Sequence, residues 1–267
     1  LDIVSICTWP ILHKEMTVNA AVAGVKMIWC EKPMAVGIDE IDEMVRTCSD
    51  HKVRLFINHQ RRYEMPYQIT RQMIDAGVLG QVERLEGWVG RGWDLSSWGT
   101  HWVDMHRFLL HDAPADWVLA QAPRSGKIRY GHPVEDQMLL QIMFSNGVIS
   151  FIHLGNHLKT TGLRVVGEKG TISFLDGGVD FKIQHEKNAS ELAKKFLEGK
   201  QYVSGMNRAL EDIIISYEKN QVGEIDVHNG ARSAEIVIAA YQSAIEGKVL
   251  RLPLENRSFN LLKNFQG

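Results

Sequence analysis

The chain has 267 residues, 45% of them hydrophobic and 23% charged, which is the balance of a folded globular protein and excludes a disordered or fibrous one. With 30 Lys and Arg against 32 Asp and Glu the formal net charge is −2, so no basic excess draws nucleic acid or an acidic membrane surface. No run approaches the roughly 18 consecutive apolar residues of a membrane span. The three cysteines, Cys7, Cys30 and Cys48, are odd in number and lack metal-ligand spacing, so the reading is a reduced, cytoplasmic protein without a metal site.

The first third alternates strand and helix. Residues Asp2–Thr8 read as a buried strand, and Leu12–Ala23 as a helix closed by Gly24, the residue type favoured just past a helix end. Val25–Cys30 is the next strand; Ile38, Ile41, Val45 and Cys48 mark the apolar side of a second helix; Arg54–Asn58 is a third strand. Strands joined by helices through short connections predict a parallel sheet.

After Asn58 the pattern changes. A helix is predicted over Pro66–Ala76, a strand near Val82–Arg91 and a helix near Val103–Leu110. Strands then dominate: Asp116–Ala122, Glu135–Phe144, Val148–Leu154, Leu163–Val166 and Thr171–Leu175. Asn146-Gly147 between two apolar runs is a hairpin signal. Helices return near Glu191–Leu197, Asn207–Lys219 and Gly230–Glu246. The fold class is therefore α/β followed by α+β. A partial Rossmann-like parallel sheet over residues 1–60 precedes an α+β domain over 61–267, built on a large, mostly antiparallel open sheet, with C-terminal helices packing on the first domain.

Several segments carry possible chemistry. Glu31-Lys32-Pro33 directly follows a strand, at the end of an open α/β sheet where ligands bind. A partly desolvated Lys32 can exchange a proton with a substrate hydroxyl, although a solvated turn is the plainer reading of the tripeptide alone. Thr100 or Ser97 is expected to cap the helix that follows, which places His101 in its first turn as an acid or base near pH 7. Asp104, three residues on, is expected to orient that ring. His106 and His111 are five apart and read as surface residues, not a metal pair. In Asn58-His59-Gln60-Arg61-Arg62-Tyr63 the arginines can grip a polyhydroxyl or anionic ligand, with interdomain salt bridges the better reading of at least one. Most of Trp88, Trp93, Trp98 and Trp102 read as core or interface. No Gly-x-Gly-x-x-Gly turn follows any predicted strand.

Taken in order, these segments resemble the Gfo/Idh/MocA family of NAD(P)-dependent oxidoreductases. The carriers are Val4–Pro10 with Leu12-His13, Cys30-Glu31-Lys32-Pro33, Gln60–Tyr63 with Pro66-Tyr67, and Gly99–Asp104. Glu135-Asp136 with Phe144–Gly147, and the helix Arg232–Ala244, extend the likeness over nearly the whole chain. The resemblance implies hydride transfer between nicotinamide, NAD or NADP, and a hydroxyl carbon of a sugar, inositol or related polyol. It implies Lys32 and His101 as catalytic residues. Thr8, Trp9, Pro10, His13, Glu31 and Lys32 would lie at the cofactor, and Gln60, Arg61, Trp98 and Asp94 at the substrate. It also implies a homodimer or homotetramer formed through the open sheet. Two departures stand out. Ser97 occupies the position where many members carry an Asp, so Lys32 takes more of the proton transfer or Asp94 substitutes. The family's first two βα units, on the order of 60 residues and including the phosphate loop, do not precede Leu1. The rival expectation is a truncated, cofactor-free relative that binds sugars or scaffolds an oligomer; a sugar-responsive regulator, with no DNA-binding segment, ranks last.

Overall fold

The computed structural model describes residues 1–123, 126–175, 178–183 and 203–265, with single positions at 191, 195 and 198. Three short strands, β1 (Ile3–Ile6), β2 (Met27–Cys30) and β3 (Arg54–Ile57), form a parallel sheet in that order. The connections are helices α1 (Pro10–Val22) and α2 (Ile38–Asp50). Pro10 opens α1 at a position where its missing N–H costs no hydrogen bond. Ile38, Ile41, Met44 and Cys48 turn inward from α2, while Val45 is only half-buried.

Alternation along the strands sends side chains to two separate cores. Ile28, Cys30, Leu55 and Ile57 join the large core under α2, whereas Met27 and Phe56 pack on the opposite face with Ala209 and Ile213. Those last two belong to α5 (Gly205–Glu218), so helices cover both faces of the small sheet.

A 3₁₀ turn (Gln60–Tyr63) and α3 (Met65–Asp75) lead into an eight-stranded sheet. Its strands are β4 (Val82–Val89), β5 (Ala115–Gln121), β8 (Gln137–Phe144), β9 (Ile149–Gly155), β10 (Gly162–Gly167), β11 (Gly170–Leu175), β12 (Gly178–Ile183) and β13 (Leu250–Arg251). The order is β12-β11-β10-β4-β9-β8-β5-β13, and every pairing is antiparallel except β4 with β9. A separate ribbon pairs β6 (Lys127–Arg129) with β7 (His132–Val134). The β8–β9 connection is the predicted hairpin: Gly147 takes φ +83°, and Phe144 N donates to the Val148 carbonyl. One face of the large sheet packs on α4 (Thr100–Leu109) and α6 (Val227–Glu246), burying Met138, Leu140, Ile142 and Phe144 of β8. The other face is open, with Leu139 53% and Phe151 40% exposed.

The C-terminal segments return to the small sheet. Ile57 N donates to the Ile225 carbonyl, Asp226 bridges to Phe56, and Ile38 N donates to the Phe259 carbonyl. The last helix, α7 (Leu261–Asn264), is tied to the first crossover by Leu261 N donating to the Val36 carbonyl. The helix expected at Glu191–Leu197 lies outside the described residues apart from positions 191 and 195.

The structure corrects two local expectations. Neither Thr100 nor Ser97 caps α4: Thr100 is itself helical, and a π turn (Leu95–Gly99) precedes it. Asp94 caps that turn instead, its Oδ1 accepting from Ser97 N at 2.8 Å. His106 is fully buried, because all ten residues of α4 are inside; its Nδ1 lies 2.5 Å from Ser150 Oγ, whereas His111 is exposed and paired with Asp75. The ribbon β6–β7 and the two-residue β13 are too short for a sequence pattern to reveal them.

Candidate active site

The carboxyl ends of β1, β2 and β3 present three loops side by side. Cys7-Thr8-Trp9 follows β1, Glu31-Lys32-Pro33 follows β2, and Asn58-His59 follows β3. The Lys32–Pro33 peptide is cis. Buried His13 ties the first two loops together, with Nδ1 2.9 Å from the Pro33 carbonyl and Nε2 3.0 Å from the Thr8 carbonyl. It therefore shapes this surface from beneath, and burial lowers its pKa. Asn58 ties the second and third, its Nδ2 donating to Glu31 Oε1 at 2.6 Å. Trp9 is 57% exposed and meets the ring of Tyr130, at the tip of the β6–β7 ribbon, edge-on at 6.4 Å.

Lys32 reaches out of this surface to the second half of the molecule. Its Nζ donates to the Ser97 carbonyl at 2.6 Å, inside the π turn. Burial lowers the Lys32 pKa and the charge of Arg61 adds to that, while Glu31 and Asp94 oppose it. The Arg61 guanidinium lies 4.7 Å from the Trp98 ring and 5.7 Å from Trp102. Trp98 in turn meets His101 edge-on at 5.6 Å. His101 is buried, its pKa pushed well below the ordinary value by burial and then by the charges of Lys32 and Arg61, so its imidazole is neutral. Lys32, Arg61, Trp98 and His101 thus form one cluster.

That cluster holds unused hydrogen-bonding capacity. Asn58 Oδ1, Arg61 Nε and His101 Nδ1 are buried without a partner. Such atoms cost stability unless a ligand or water engages them. Gln60 Oε1 is likewise unpartnered, but Gln60 lines a neighbouring pocket of about 320 Å³ with Glu64, Pro66 and Gly205.

Asp94 and Asp104 are engaged elsewhere. Asp94 accepts from Ser96 Oγ and Ser97 Oγ, each at 2.7 Å, and pairs with Arg129 at 3.0 Å. It holds the π turn in place, and Glu135 supports the same turn by accepting from Leu95 N and from the Tyr241 hydroxyl, each at 2.6 Å. Burial raises Glu135 to about 8, and Asp94 adds to the effect. Asp104 does not orient His101: its two oxygens are taken by Arg62 at 2.8 and 2.9 Å, and one of them also accepts from Ser233. Spacing along one helix could not show this, because the partner that wins Asp104 comes from a distant turn. Arg62 is the salt-bridged arginine, but its partners Asp104, Asp112 and Glu224 all lie beyond residue 61, so the pairing does not cross the expected domain boundary; Arg61 is the one left facing the cluster. His59 is the buried neighbour that sequence reasoning passed over. Its Nδ1 sits 3.6 Å from Asp104 Oδ2, and burial lowers its pKa to about 4. The only signal for it was a polar run directly after a buried strand.

A parallel sheet with a lysine at a strand end, met by a 3₁₀ turn, a π turn and a helix that bring an arginine, a tryptophan and a histidine to it, defines an α/β protein with a candidate active site at that junction. The family comparison agrees: residues 1–59 match the model described as the oxidoreductase family, NAD-binding Rossmann fold, and residues 91–252 match its C-terminal alpha/beta domain. The chain belongs to the Gfo/Idh/MocA oxidoreductase family. It is similar to the 1,5-anhydro-D-fructose reductase of Ensifer adhaerens, 31% identical over 192 residues, which covers 64% of this chain and 56% of that protein. It is 30% identical over 126 residues to an inositol 2-dehydrogenase of Rhizobium meliloti (strain 1021), covering 43% of this chain and 38% of that one. The chain thus spans little more than half the length of the first of these curated relatives. The fold matches the WlbA dehydrogenase of Bordetella pertussis, solved with NADH and UDP-GlcNAcA, at a TM-score of 0.78 and 22% identity over 95% of this chain and 80% of that one. It also matches an inositol dehydrogenase homolog of Azotobacter vinelandii, solved with NADH and myo-inositol, at 0.78 and 16% over 94% and 78%.

The residues present fit the nicotinamide portion of such a cofactor. Trp9 offers an exposed ring beside the strand ends, and Asn58 Oδ1 after β3 is a buried acceptor without a partner.

Proposed function

We propose that this chain belongs to an NAD(P)-dependent oxidoreductase acting on a hydroxyl-bearing carbon of a sugar, inositol or related polyol. The observation that carries the reading is Lys32 Nζ held at the carboxyl end of the parallel sheet within the cluster of Arg61, Trp98 and neutral His101. Thr8, Trp9, Pro10 and Glu31 would hold the cofactor, and His13 fixes the loops that carry them. Nicotinamide, when bound, supplies a hydride acceptor or donor at the substrate carbon.

The chain's own residues handle the proton. Lys32 donates a hydrogen bond to the reacting hydroxyl oxygen, and His101 Nδ1, free of any protein partner, accepts the hydroxyl proton or returns it. A lysine with a lowered pKa and an uncharged histidine suit that exchange near neutral pH. Arg61 and Trp98 offer a donor and a ring face to a polyol, while Gln60 serves the neighbouring pocket with Glu64. Asp94 acts from behind, by fixing the turn that bears Trp98 and the Ser97 carbonyl. Trp98 packs edge-on against both His101 and Trp102, which shields that side of the imidazole from bulk water.

The test is cofactor reduction, followed by absorbance, over a panel of aldoses, inositols and polyols with NAD and NADP. Lys32→Met is expected to lower kcat roughly 100- to 10,000-fold while cofactor binding persists. A Lys32→Met protein as active as the parent would overturn the assignment.

The half-apolar open face, with Leu139 and Phe151 exposed, supports self-association of the chain as a dimer or tetramer. Sedimentation showing monomer alone at all concentrations would refute it. The three free cysteines support a reducing, cytoplasmic setting, and a thiol titration of protein taken directly from cells checks that.

A further inference from the structure

Successive residues of the 3₁₀ turn serve two chambers. Arg61 stands over Trp98 in the Lys32 cluster, whereas Gln60 lines the neighbouring pocket with Glu64, Pro66 and the start of α5 at Ser204, Gly205 and Met206. The chambers adjoin. Arg61 Nη1 lies 3.5 Å from Glu64 Oε2, and Asn58 Nδ2, which donates to Glu31 beside Lys32, also reaches Met206 Sδ at 3.4 Å. The pocket holds about 320 Å³, roughly ten times the ~30 Å³ share of one liquid water, which is room for a short carbon arm with its hydroxyl groups.

The polar lining decides what that arm carries. Gln60 Oε1 is buried with no donor to satisfy it. Glu64 is half-buried, and among the described residues its carboxylate receives one hydrogen bond, the 3.5 Å contact from Arg61 at the limit of such a bond. Both oxygens therefore have room for the O–H or N–H groups of a ligand.

The start of α5 pulls the other way. Gly205 and Met206 are its first two residues, where N–H groups have no helical acceptor and the helix dipole is positive. The cap Ser204 Oγ serves Asn207 N at 3.2 Å. A Cβ at Gly205 would stand 2.6 Å from the Gln60 carbonyl and 3.1 Å from Glu64 Cγ, so this positive end sits directly beside both residues. Without Glu64, the helix end and Arg61 would favour a carboxylate or phosphate. With Glu64 in the same pocket, an anionic arm meets a like charge. Two such charges about 5 Å apart at an effective dielectric near ~20 disfavour binding by roughly 100-fold or more. Arg61 and the helix end offset part of that, which leaves roughly 10- to 100-fold.

With the Lys32 cluster read as the reacting end, on which this step rests, we propose that the pocket takes an uncharged, hydroxyl-bearing arm of the substrate. Glu64 determines specificity there by excluding acidic sugars.

The test is ligand-observed NMR titration of the full chain at neutral pH with two matched pairs, glucose with glucuronate and galactose with galacturonate. The neutral member of each pair should bind roughly 10- to 100-fold more tightly. Glu64→Gln keeps the shape and removes the charge, so uronate binding should tighten by about tenfold or more as Arg61 and α5 meet the carboxylate unopposed. Gln60→Glu adds a second carboxylate and should widen the preference, which gives a reading of opposite sign from an independent variant. Lys32→Met removes turnover if the oxidoreductase reading holds, yet should leave the preference for the neutral sugar in place, so the two readings fail separately. Equal affinity within each pair for the parent, a preference unchanged in both Glu64→Gln and Gln60→Glu, or no binding of either member at millimolar concentration would each overturn the proposal.

Discussion

Replacing Arg62 by Met tests the junction that sets the candidate site. The side chain is fully buried, donates to Asp104 at 2.9 and 2.8 Å and to Asp112 at 2.9 and 2.8 Å, and reaches Glu224 at 3.2 Å. It thereby joins the 3₁₀ turn, α4 and the segment leading into α6. Met restores much of the volume but none of the charge. Asp104 would keep only the Ser233 hydroxyl at 2.8 Å, His59 at 3.6 Å and Arg107 at 4.0 Å. Removing one member of a buried pair costs about 3–5 kcal/mol, a large share of a typical total of about 5–15 kcal/mol.

The assay is urea unfolding of Arg62→Met beside the parent at several pH values. Burial on its own would raise the Asp104 carboxyl; the charge of Arg62 instead holds it well below the usual carboxylate range. In the parent, the stability from this pairing is present above the unfolded carboxylate value and lost only in strong acid. In the variant Asp104 is buried without its cation and its pKa rises. The gap between variant and parent should therefore narrow as pH falls. A cost below about 1 kcal/mol at neutral pH, or a gap unchanged by acid, would refute the reasoning.

Three further outcomes are expected. Gly230→Ala should destabilise by about 1–3 kcal/mol despite the helix preference for Ala, because its Cβ would stand 2.3 Å from Ile57 Cγ1; truncating Ile57 to Ala should relieve part of that cost, and a more stable single variant would contradict it. His59 and His106, lowered by burial to about 4 and about 3, stay neutral when folded while the unfolded chain takes up protons below about 6.5. Stability should therefore fall as pH drops through that window, and His106→Gln should flatten the slope in a urea series. Glu135, raised to about 8 by burial, binds a proton that the unfolded chain releases near 4.5, so its contribution is lost as pH rises across that range. Glu135→Gln should gain on the parent between those values and hold a constant lead above them; a lead that shrinks with rising pH would show the sign to be wrong.

The sequence alone determined the architecture, because both sheets leave periodic traces. The parallel strands are short, β-branched runs separated by helices, and β8 alternates buried and exposed residues around an Asn-Gly turn. Lys32 was legible for a related reason: a strand end in an open sheet is fixed by local order, and a lysine there stands out. The tertiary structure decided everything that depends on which distant side chain wins a partner. Asp104 lies one helical turn from His101 yet is claimed by Arg62, 42 positions earlier in the chain. Asp94 turns out to hold a loop whose carbonyl receives Lys32 across a separation of 65 residues. His106 sits in a helix polar enough to suggest a surface, yet that helix is enclosed on all sides between the sheet, α3 and α6. Periodicity reports which face an element buries, but the partners of buried charges are set by packing between elements far apart in the chain.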